Sequence, residues 1–162
     1  MKKSILAALM LLVAATGAAQ TLDEIYAAFR DKPGVEYTAI SSKFIMEQMK
    51  AQMKDVKSFG KDGDEKIAAL KNLDSIVVLN LDGCEKSLIG KFEEMTANLK
   101  ALGYEVLVNT SKDGERTTIL CRMDDEGMTE LLVRNIEDDE AQLVRLTGRL
   151  KKEDWNKIVG NN

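Results

Sequence analysis

Four short segments near the end of the chain have the pattern of β-strands joined by tight turns. They cover residues 104–110, 116–123, 128–136 and 142–150. In the last segment, Val144 and Leu146 alternate with Arg145 and Thr147, which is the two-residue period of a strand with two unlike faces. Consecutive strands with such short connections pair as antiparallel hairpins. This region therefore predicts a β-meander on which the rest of the fold is built.

A strand and a long helix precede the meander. The segment DSIVVLNL at 74–81 is a nearly continuous apolar run, which is typical of a strand covered on both faces. Residues 85–102 have apolar side chains at helical spacing, and Gly103 is a natural C-terminal cap. We expect Asp82 to cap this helix, which places Cys84 in its first turn. The helix is long enough for a crossover, so the strands on either side of it are predicted to run parallel.

Two helices and a short strand come first in the predicted mature chain. Thr21 and Glu24 have the three-residue spacing of a capping box, so a helix is expected to start there. Residues 35–40 have the composition of a short strand. Ser41 or Ser42 then caps a second helix with the sequence KFIMEQMKAQMK.

These elements predict an α+β fold. Helices are expected to pack on one face of a mostly antiparallel sheet with a βαββββ core, and a short closing helix carries Trp155. Residues 20–162 have the size of a single domain with its own hydrophobic core. The segment 55–63 contains two glycines, Gly60 and Gly63, and mixed charge, so it is predicted to be a mobile loop.

The first nineteen residues have the three parts of a signal peptide. Lys2 and Lys3 precede an apolar run at 5–15, and Gly17 and Ala19 lie where signal peptidase prefers small residues. We predict cleavage after residue 19 and export to the periplasm or out of the cell. The alternative is a retained anchor, but the apolar run is short for crossing a bilayer, so no stable membrane anchor is expected.

The chain is acidic, with a net charge of −4 from 23 basic and 27 acidic residues. Cleavage removes Lys2 and Lys3 and no acidic residue, so the predicted mature chain has a net charge of −6. Nucleic acids and anionic membrane surfaces select basic proteins. Neither is therefore an expected partner.

Three stretches of the sequence resemble a known family. GVEYTAISSKFIMEQM, LDSIVVLNLDG and the segment from GYEVLVNT to LKKEDW resemble the exported Bacteroidota proteins grouped as domain-of-unknown-function family 4252. The resemblance covers nearly the whole predicted mature chain. It implies an α+β fold and an exported location. It implies no catalytic residue, because the family has no established activity.

The chain has no histidine. This excludes the usual Ser-His-Asp and Cys-His catalytic arrangements and removes the commonest metal ligand. No glycine-rich phosphate loop follows a strand. Acidic segments at 62–65, 123–127 and 136–141 lack the ligand spacing of a calcium loop and are interpreted as solvated turns. We therefore predict no cofactor, no metal site and no catalytic residue.

The two cysteines, Cys84 and Cys121, are candidates for a disulfide or for a reactive thiol. In the predicted sheet they lie near opposite edges, about 15–20 Å apart, whereas a disulfide needs Cα atoms within about 7 Å. Cys121 alternates with Ile119, which favours a core thiol on the helix-covered face. The helix dipole would activate Cys84, but Asp82 and Glu85 oppose that effect, so a reactive Cys84 is kept as an alternative.

Met46, Met49 and Met53 recur along one face of the second predicted helix. Their spacing is that of a core-facing stripe. Methionine also adapts to irregular partner surfaces, and exported methionine clusters can bind Cu(I). We take these three residues, together with Phe59 in the neighbouring loop, as the candidate contact region for a partner.

The sequence as a whole favours an exported, non-catalytic binding module of the bacterial cell envelope, with an envelope protein as its partner. Two alternatives come from other classes of protein. A histidine-free enzyme would use carboxylates and would need a deep pocket with two converging acids of perturbed pKa. A redox or metal-stress protein would use Cys84 or the methionines.

Overall fold

A six-stranded antiparallel sheet forms the centre of the structure. The computed structural model describes residues 21–53 and 71–151, with side chains for 21–48 and 71–151. The strands are β1 (Glu36–Ser41), β2 (Leu73–Asn80), β3 (Glu105–Lys112), β4 (Glu115–Asp124), β5 (Gly127–Ile136) and β6 (Ala141–Leu150). The helices are α1 (Leu22–Phe29), α2 (Ser42–Met53) and α3 (Lys86–Met95), and a 3-10 helix follows at Leu99–Leu102. The predicted α+β fold is confirmed, and each strand predicted from the sequence is present.

The strand order is β1-β2-β6-β5-β4-β3, and every neighbouring pair is antiparallel. Short turns join β3 to β4, β4 to β5 and β5 to β6, as the meander predicts. The last strand, β6, lies between β5 and β2, so it connects the meander to the first half of the chain. Four successive reversals give β2 and β3 the same direction, as predicted, but three strands separate them. β1 and β3 form the two edges of the sheet.

One face of the sheet packs against α1 and α3, and we call it the helix face. Phe29 of α1 and Phe92 of α3 are fully buried there, and their rings meet edge to face with centroids 5.4 Å apart. Below them lie the strand residues Leu79, Leu120, Leu132 and Leu143. Removal of these apolar side chains from water is the main force that holds the two helices on the sheet.

A second buried cluster lies on the opposite face of the sheet. Because neighbouring residues of a strand point to opposite faces, Cys121 and Leu131 face away from Leu120 and Leu132. Cys121, Leu131 and Leu146 are buried together in this second cluster. The prediction of a buried Cys121 is confirmed, and Cys121 lies on the face opposite α1 and α3. The strand period tells which residues share a face, and it does not tell which face the helices cover.

Side-chain caps begin α1 and α2. The backbone N–H of Glu24 donates to Oγ1 of Thr21 at 3.2 Å, and the N–H of Thr21 donates to Oε2 of Glu24 at 2.7 Å. The predicted capping box is therefore confirmed. At α2, the N–H of Phe44 donates to Oγ of Ser41 at 3.4 Å, so Ser41 caps this helix and Ser42 is its first residue.

The start of α3 differs from the prediction. Gly83 has a φ of 67°, and the N–H of Cys84 donates to the carbonyl of Leu81 at 3.3 Å, so a tight turn separates β2 from the helix. The helix itself begins at Lys86. Asp82 is therefore not its cap, and Cys84 precedes the helix instead of lying in its first turn.

The end of the same helix is also different. Residues 85–102 were expected to form one helix, but α3 ends at Met95 and a separate 3-10 helix follows. Thr96, at the break, is buried, and its hydroxyl donates to the carbonyl of Phe92 at 2.8 Å. Such back-bonding competes with the helical backbone ladder. Gly103 ends the 3-10 helix with a φ of 85°, as the predicted cap requires.

Three predictions fall outside the described residues. They are the signal peptide at 1–19, the loop at 55–63 and the closing helix that carries Trp155. Over 21–53 and 71–151, none of the helices combines the length and the apolar character needed to cross a membrane.

The contact between β6 and β2 leads to a prediction about Gly148. A Cβ atom at this position would lie 2.2 Å from the carbonyl oxygen of Asn72 and 2.8 Å from Cα of Leu73. Both atoms belong to the backbone, so rotation of a side chain cannot relieve the clash and the strands would have to move apart. We expect Gly148→Ala to lower the free energy of unfolding by about 2–3 kcal/mol, measured by urea denaturation.

Gly90 is the matched control for this substitution. It lies inside α3, is exposed, and has no atom within 4 Å of an added Cβ. Gly90→Ala should raise the free energy of unfolding by about 0.5–1 kcal/mol, because alanine is the better helix former. Equal effects of the two substitutions would contradict the close strand approach at Gly148.

Candidate functional site

A cleft of about 400 Å³ opens on the helix face, between the end of α3 and strands β3 to β5. We call it the basic cleft and define it by the polar residues Thr96, Lys100, Asn109, Arg116, Thr118 and Arg134. Arg116 and Thr118 are alternate residues of β4, and Arg134 of β5 lies directly opposite Thr118 in the register. The register therefore brings two arginines from different strands to one place. The volume lies within the range of small-ligand sites.

Arg134 is the half-buried cation at the base of this cleft. Its Nε donates to Oγ1 of Thr96 at 2.8 Å, and its Nη2 donates to the carbonyl of Glu93 at 3.4 Å. Both acceptors are neutral, and within the described part of the chain Arg134 forms no ion pair with a carboxylate. Burial lowers the pKa of Arg134; the charge of the nearby Glu93 raises it in part, and the charge of Arg116 lowers it by a smaller amount. The guanidinium is thus an incompletely compensated positive charge.

Arg116 and Glu93 form an ion pair at the rim of the basic cleft. Nη1 of Arg116 donates to Oε1 of Glu93, and both side chains are partly exposed. This hydrogen bond lowers the pKa of Glu93 and raises that of Arg116. Lys100 adds a third cation to the lining. The basic cleft therefore holds three cations, of which only Arg116 has an ion pair with a carboxylate among the described residues, in a chain whose overall charge is negative.

A second group of charged residues lies on the helix face under the N-terminal turn of α1, and its charges are matched. Nη2 of Arg145 donates to Oε1 of Glu130 at 2.9 Å, and Nη1 donates to Oδ1 of Asp23 at 2.9 Å. The hydroxyl of Tyr104 also donates to Glu130. Arg122 lies over the Tyr104 ring, 4.4 Å from its centroid, and reaches Glu130 at 3.4 Å. We call these five residues the ionic cluster and assign it a structural role.

The pKa of Glu130 reflects this cluster. Burial raises the pKa, but the hydrogen bonds from Arg145 and Tyr104 and the charges of Arg145 and Arg122 outweigh burial, so the net pKa is lowered. Burial and the hydrogen bond to Glu130 raise the pKa of Tyr104. Glu130 is therefore a firmly ionised carboxylate at neutral pH. A general acid needs the opposite shift.

Cys84 lines a second concavity, of about 630 Å³, beside Lys32, Gly34 and Lys91. The thiol is half-buried, and burial together with the charge of Asp82 raises its pKa. A reactive cysteine has a lowered pKa, so this environment does not favour the reactive-thiol alternative. Burial also raises the pKa of Cys121, and both cysteines are free in the structure.

The methionine region is described only in part. Met46 is half-buried on α2, and the neighbouring Phe44 is 52% exposed. Met49 and Met53 belong to the same helix, but their side chains lie outside the described residues, and Phe59 lies outside them altogether. The predicted contact region therefore stays a prediction.

The acidic turns do not converge on one site. Asp124 and Glu126, in the turn after β4, both lie near Arg149, whereas the turn of residues 137–140 lies at the other end of β5. Burial, followed by the charges of Asp82 and the neighbouring turn acids, raises the pKa of Glu140. Among residues 21–53 and 71–151, no three His, Cys, Asp or Glu side chains are placed to hold a metal ion.

Sequence reasoning did not find the basic cleft. The available signal was an arginine at an inward position of a strand, which occurs at Arg116 and Arg134. The same signal occurs at Arg122 and Arg145 in the ionic cluster, so it does not distinguish a ligand site from a structural ion pair. Only the positions of the carboxylates in three dimensions separate the two.

Comparison with known proteins identifies one relationship. The profile of a family described as a domain of unknown function, DUF4252, matches residues 26–158. No curated protein and no solved structure matches the chain. The match covers most of the chain, including every residue of the basic cleft and all of the ionic cluster except Asp23.

The ionic cluster generates a prediction for acid stability. Because the folded-state pKa of Glu130 is lowered, its contribution to stability is complete above the unfolded-state pKa of about 4.3 and is lost as the pH falls through the folded-state pKa. Glu130→Gln leaves Arg145 and Arg122 without their shared carboxylate. We expect it to lower the free energy of unfolding at neutral pH by about 3 kcal/mol, and by much less at about pH 3.

Urea denaturation at both pH values is the measurement, with Glu126→Gln as the control. Glu126 pairs with Arg149 on the surface, so its loss should cost no more than about 0.5 kcal/mol. A Glu130→Gln penalty that is the same at both pH values would contradict the assigned ionisation of this residue.

The two thiols should differ in reactivity with an aromatic disulfide reagent. In the native protein, Cys84 should react slowly at neutral pH and faster as the pH rises, because its pKa is raised. Cys121 should react only after unfolding, because it is buried. Cys84→Ser should abolish the native reaction, and Cys121→Ser should preserve it. A fast reaction of Cys84 at neutral pH would instead support the redox alternative.

Proposed function

The chain belongs to the DUF4252 family, whose description assigns no activity, and from this premise we propose an exported, non-catalytic binding module of the bacterial cell envelope. Its partner is an envelope protein that presents an anionic group, such as a side-chain or terminal carboxylate, to the basic cleft. The signal-peptide pattern of residues 1–19 supports export.

The observation that carries this proposal is that Arg134 is a half-buried cation without an ion-pair partner among the described residues. A half-buried guanidinium whose hydrogen bonds go only to neutral acceptors loses hydration, and the nearby Glu93, which is already hydrogen-bonded to Arg116, compensates its charge only in part. An incoming carboxylate or phosphate would supply that charge through the remaining guanidinium N–H groups. The neighbouring Arg116 and Lys100 add attraction at the same opening.

Side chains around the arginines suit recognition of a polar group. Thr118 Oγ1 donates to Oδ1 of Asn109 at 3.3 Å, so the amide nitrogen of Asn109 remains a donor available to a ligand. Val106 and Leu120 supply an apolar wall to the cleft. A few polar groups placed within an apolar lining is the usual composition of a binding pocket.

The ionisation of Glu93 and Glu130 favours binding over carboxylate catalysis. Glu93 is hydrogen-bonded to Arg116, which lowers its pKa, so it is a poor proton donor at neutral pH. Hydrogen bonds from Arg145 and Tyr104 also lower the pKa of Glu130, so it too is ionised at neutral pH. A histidine-free enzyme would instead need one acid with a raised pKa close to another in a pocket.

A second contact region on α2 is part of the same proposal. Phe44 at the start of α2 is half-exposed, and the sequence predicts partner contact through Met46, Met49 and Met53 of the same helix and through Phe59. Exposed aromatic residues and adaptable methionines are both common in protein interfaces.

Small anions test the basic cleft directly. Sodium acetate and sodium phosphate, at constant ionic strength, should bind the wild-type protein weakly in isothermal titration calorimetry. Arg134→Gln and Arg116→Gln should each weaken this binding by about tenfold or more, since one hydrogen bond to a charged group contributes roughly 1.5–3 kcal/mol.

Arg149→Gln is the matched control, because it removes an exposed arginine outside the basic cleft. It should bind both anions as the wild type does. Equal binding by all three variants would contradict the proposal, as would an absence of binding to the wild type. Circular dichroism of each variant should confirm the native fold before the titrations are interpreted.

A further inference from the structure

β3 is the most exposed strand in the described part of the molecule. Every residue of this strand is exposed, and within the described ranges no strand pairs with its outer side. Val106, Leu107 and Val108 are 36% to 45% exposed and make up three of the six exposed large apolar side chains there. An apolar edge strand of this kind is a template for pairing with another strand.

The hairpin turn determines which backbone groups point outward. Asp113 and Gly114 have φ values of 52° and 91°, and positive φ angles at both central residues are typical of a type I′ β-turn. Lys112 and Glu115 close this turn and bond to each other. Because bonding residues alternate along an antiparallel pair, the N–H and C=O of Asn109 point away from β4 and remain available to another strand.

A bulge in β3 gives the strand a symmetric arrangement of charge. Asn109 lies opposite Thr118, and the two ends, Glu105 and Lys112, lie opposite Cys121 and Glu115. The register shift between Val106 and Val108 absorbs one residue. Measured on β4, Glu105 and Lys112 are therefore equally far from Asn109, by three positions in each direction.

We propose that two copies of this chain pair through β3, antiparallel, about a two-fold axis at Asn109. In this register Glu105 of each copy faces Lys112 of the other, on the same face of the joined sheet. The pairing is isologous, so one favourable charge contact occurs twice. Charged ends normally protect an edge strand from association, but here their opposite signs select this partner and this register.

The interface uses one eight-residue strand from each copy. Its area belongs to the class of small, transient interfaces, so the dimer forms in reversible equilibrium with the monomer. The inference does not depend on anion binding in the basic cleft. In the proposed dimer the two basic clefts lie close to the two-fold axis, because Asn109 lines the cleft and also lies on that axis.

Sedimentation velocity of the mature chain over a concentration series, from about 10 µM to about 1 mM, tests the proposal. The wild type should shift from monomer to dimer across this range, and added salt should weaken the dimer. Glu105→Lys places two lysines against each other at both ends, and Lys112→Glu places two glutamates there. Each single variant should remain monomeric.

An equimolar mixture of these two variants should form a heterodimer, because each lysine then faces a glutamate. The double variant Glu105→Lys/Lys112→Glu should dimerise like the wild type. Glu36→Lys on the other edge strand, β1, is the matched control and should leave the dimer intact. The three substituted residues, Glu105, Lys112 and Glu36, are exposed, so folding is expected to be unaffected.

Asn109→Pro tests the backbone contact, because it removes an outward N–H that β4 does not use. It should abolish the dimer while far-UV circular dichroism stays native. A wild type that stays monomeric throughout the series would overturn the proposal. A dimer that survives Glu105→Lys, or a mixture of the charge variants that stays monomeric, would overturn the proposed register.

Discussion

The placement of β6 between β5 and β2 is the constraint on which the rest of the structure depends. Without it, the meander of β3 to β6 and the first half of the chain would be separate layers. The close approach of Gly148 to the backbone of Asn72 and Leu73 leaves no room for a side chain. Once β6 is in place, Leu143 lies under α1 while Leu146 lies on the opposite face, so both buried clusters form around the same strand.

The arginines of the helix face then divide into two groups with different consequences. Arg122 and Arg145 meet Glu130, which sits on the neighbouring strand and gains hydrogen bonds from both Arg145 and Tyr104. Arg134 meets Thr96 and a backbone carbonyl instead. In both groups the guanidinium lies on the helix face of the sheet, where it loses part of its hydration. The charges of Arg122 and Arg145 are compensated by Glu130 within the chain. The proposed binding function is therefore assigned to Arg134.

Several elements followed from local patterns in the sequence. The capping box of Thr21 and Glu24, the cap at Gly103 and all six strands are present where the sequence predicts them, because each depends on a few neighbouring residues. The start of α3 was missed because the turn at Gly83 uses the residues that a cap would need. The break after Met95 was missed because Thr96 lies under the sheet and bonds to Arg134, a contact between residues that are far apart in the chain.

The sequence by itself therefore determined the strands, their hairpin order, the family and the absence of histidine-based chemistry, since these depend on composition, spacing and short-range geometry. Only the tertiary structure decided which face of the sheet holds Cys121, that Arg134 forms no ion pair within the described residues, and that β3 is an edge with equidistant charges of opposite sign. The physical reason is that burial and charge compensation are set by neighbours in space. In this chain those neighbours come from strands whose order in the sheet differs from their order in the sequence.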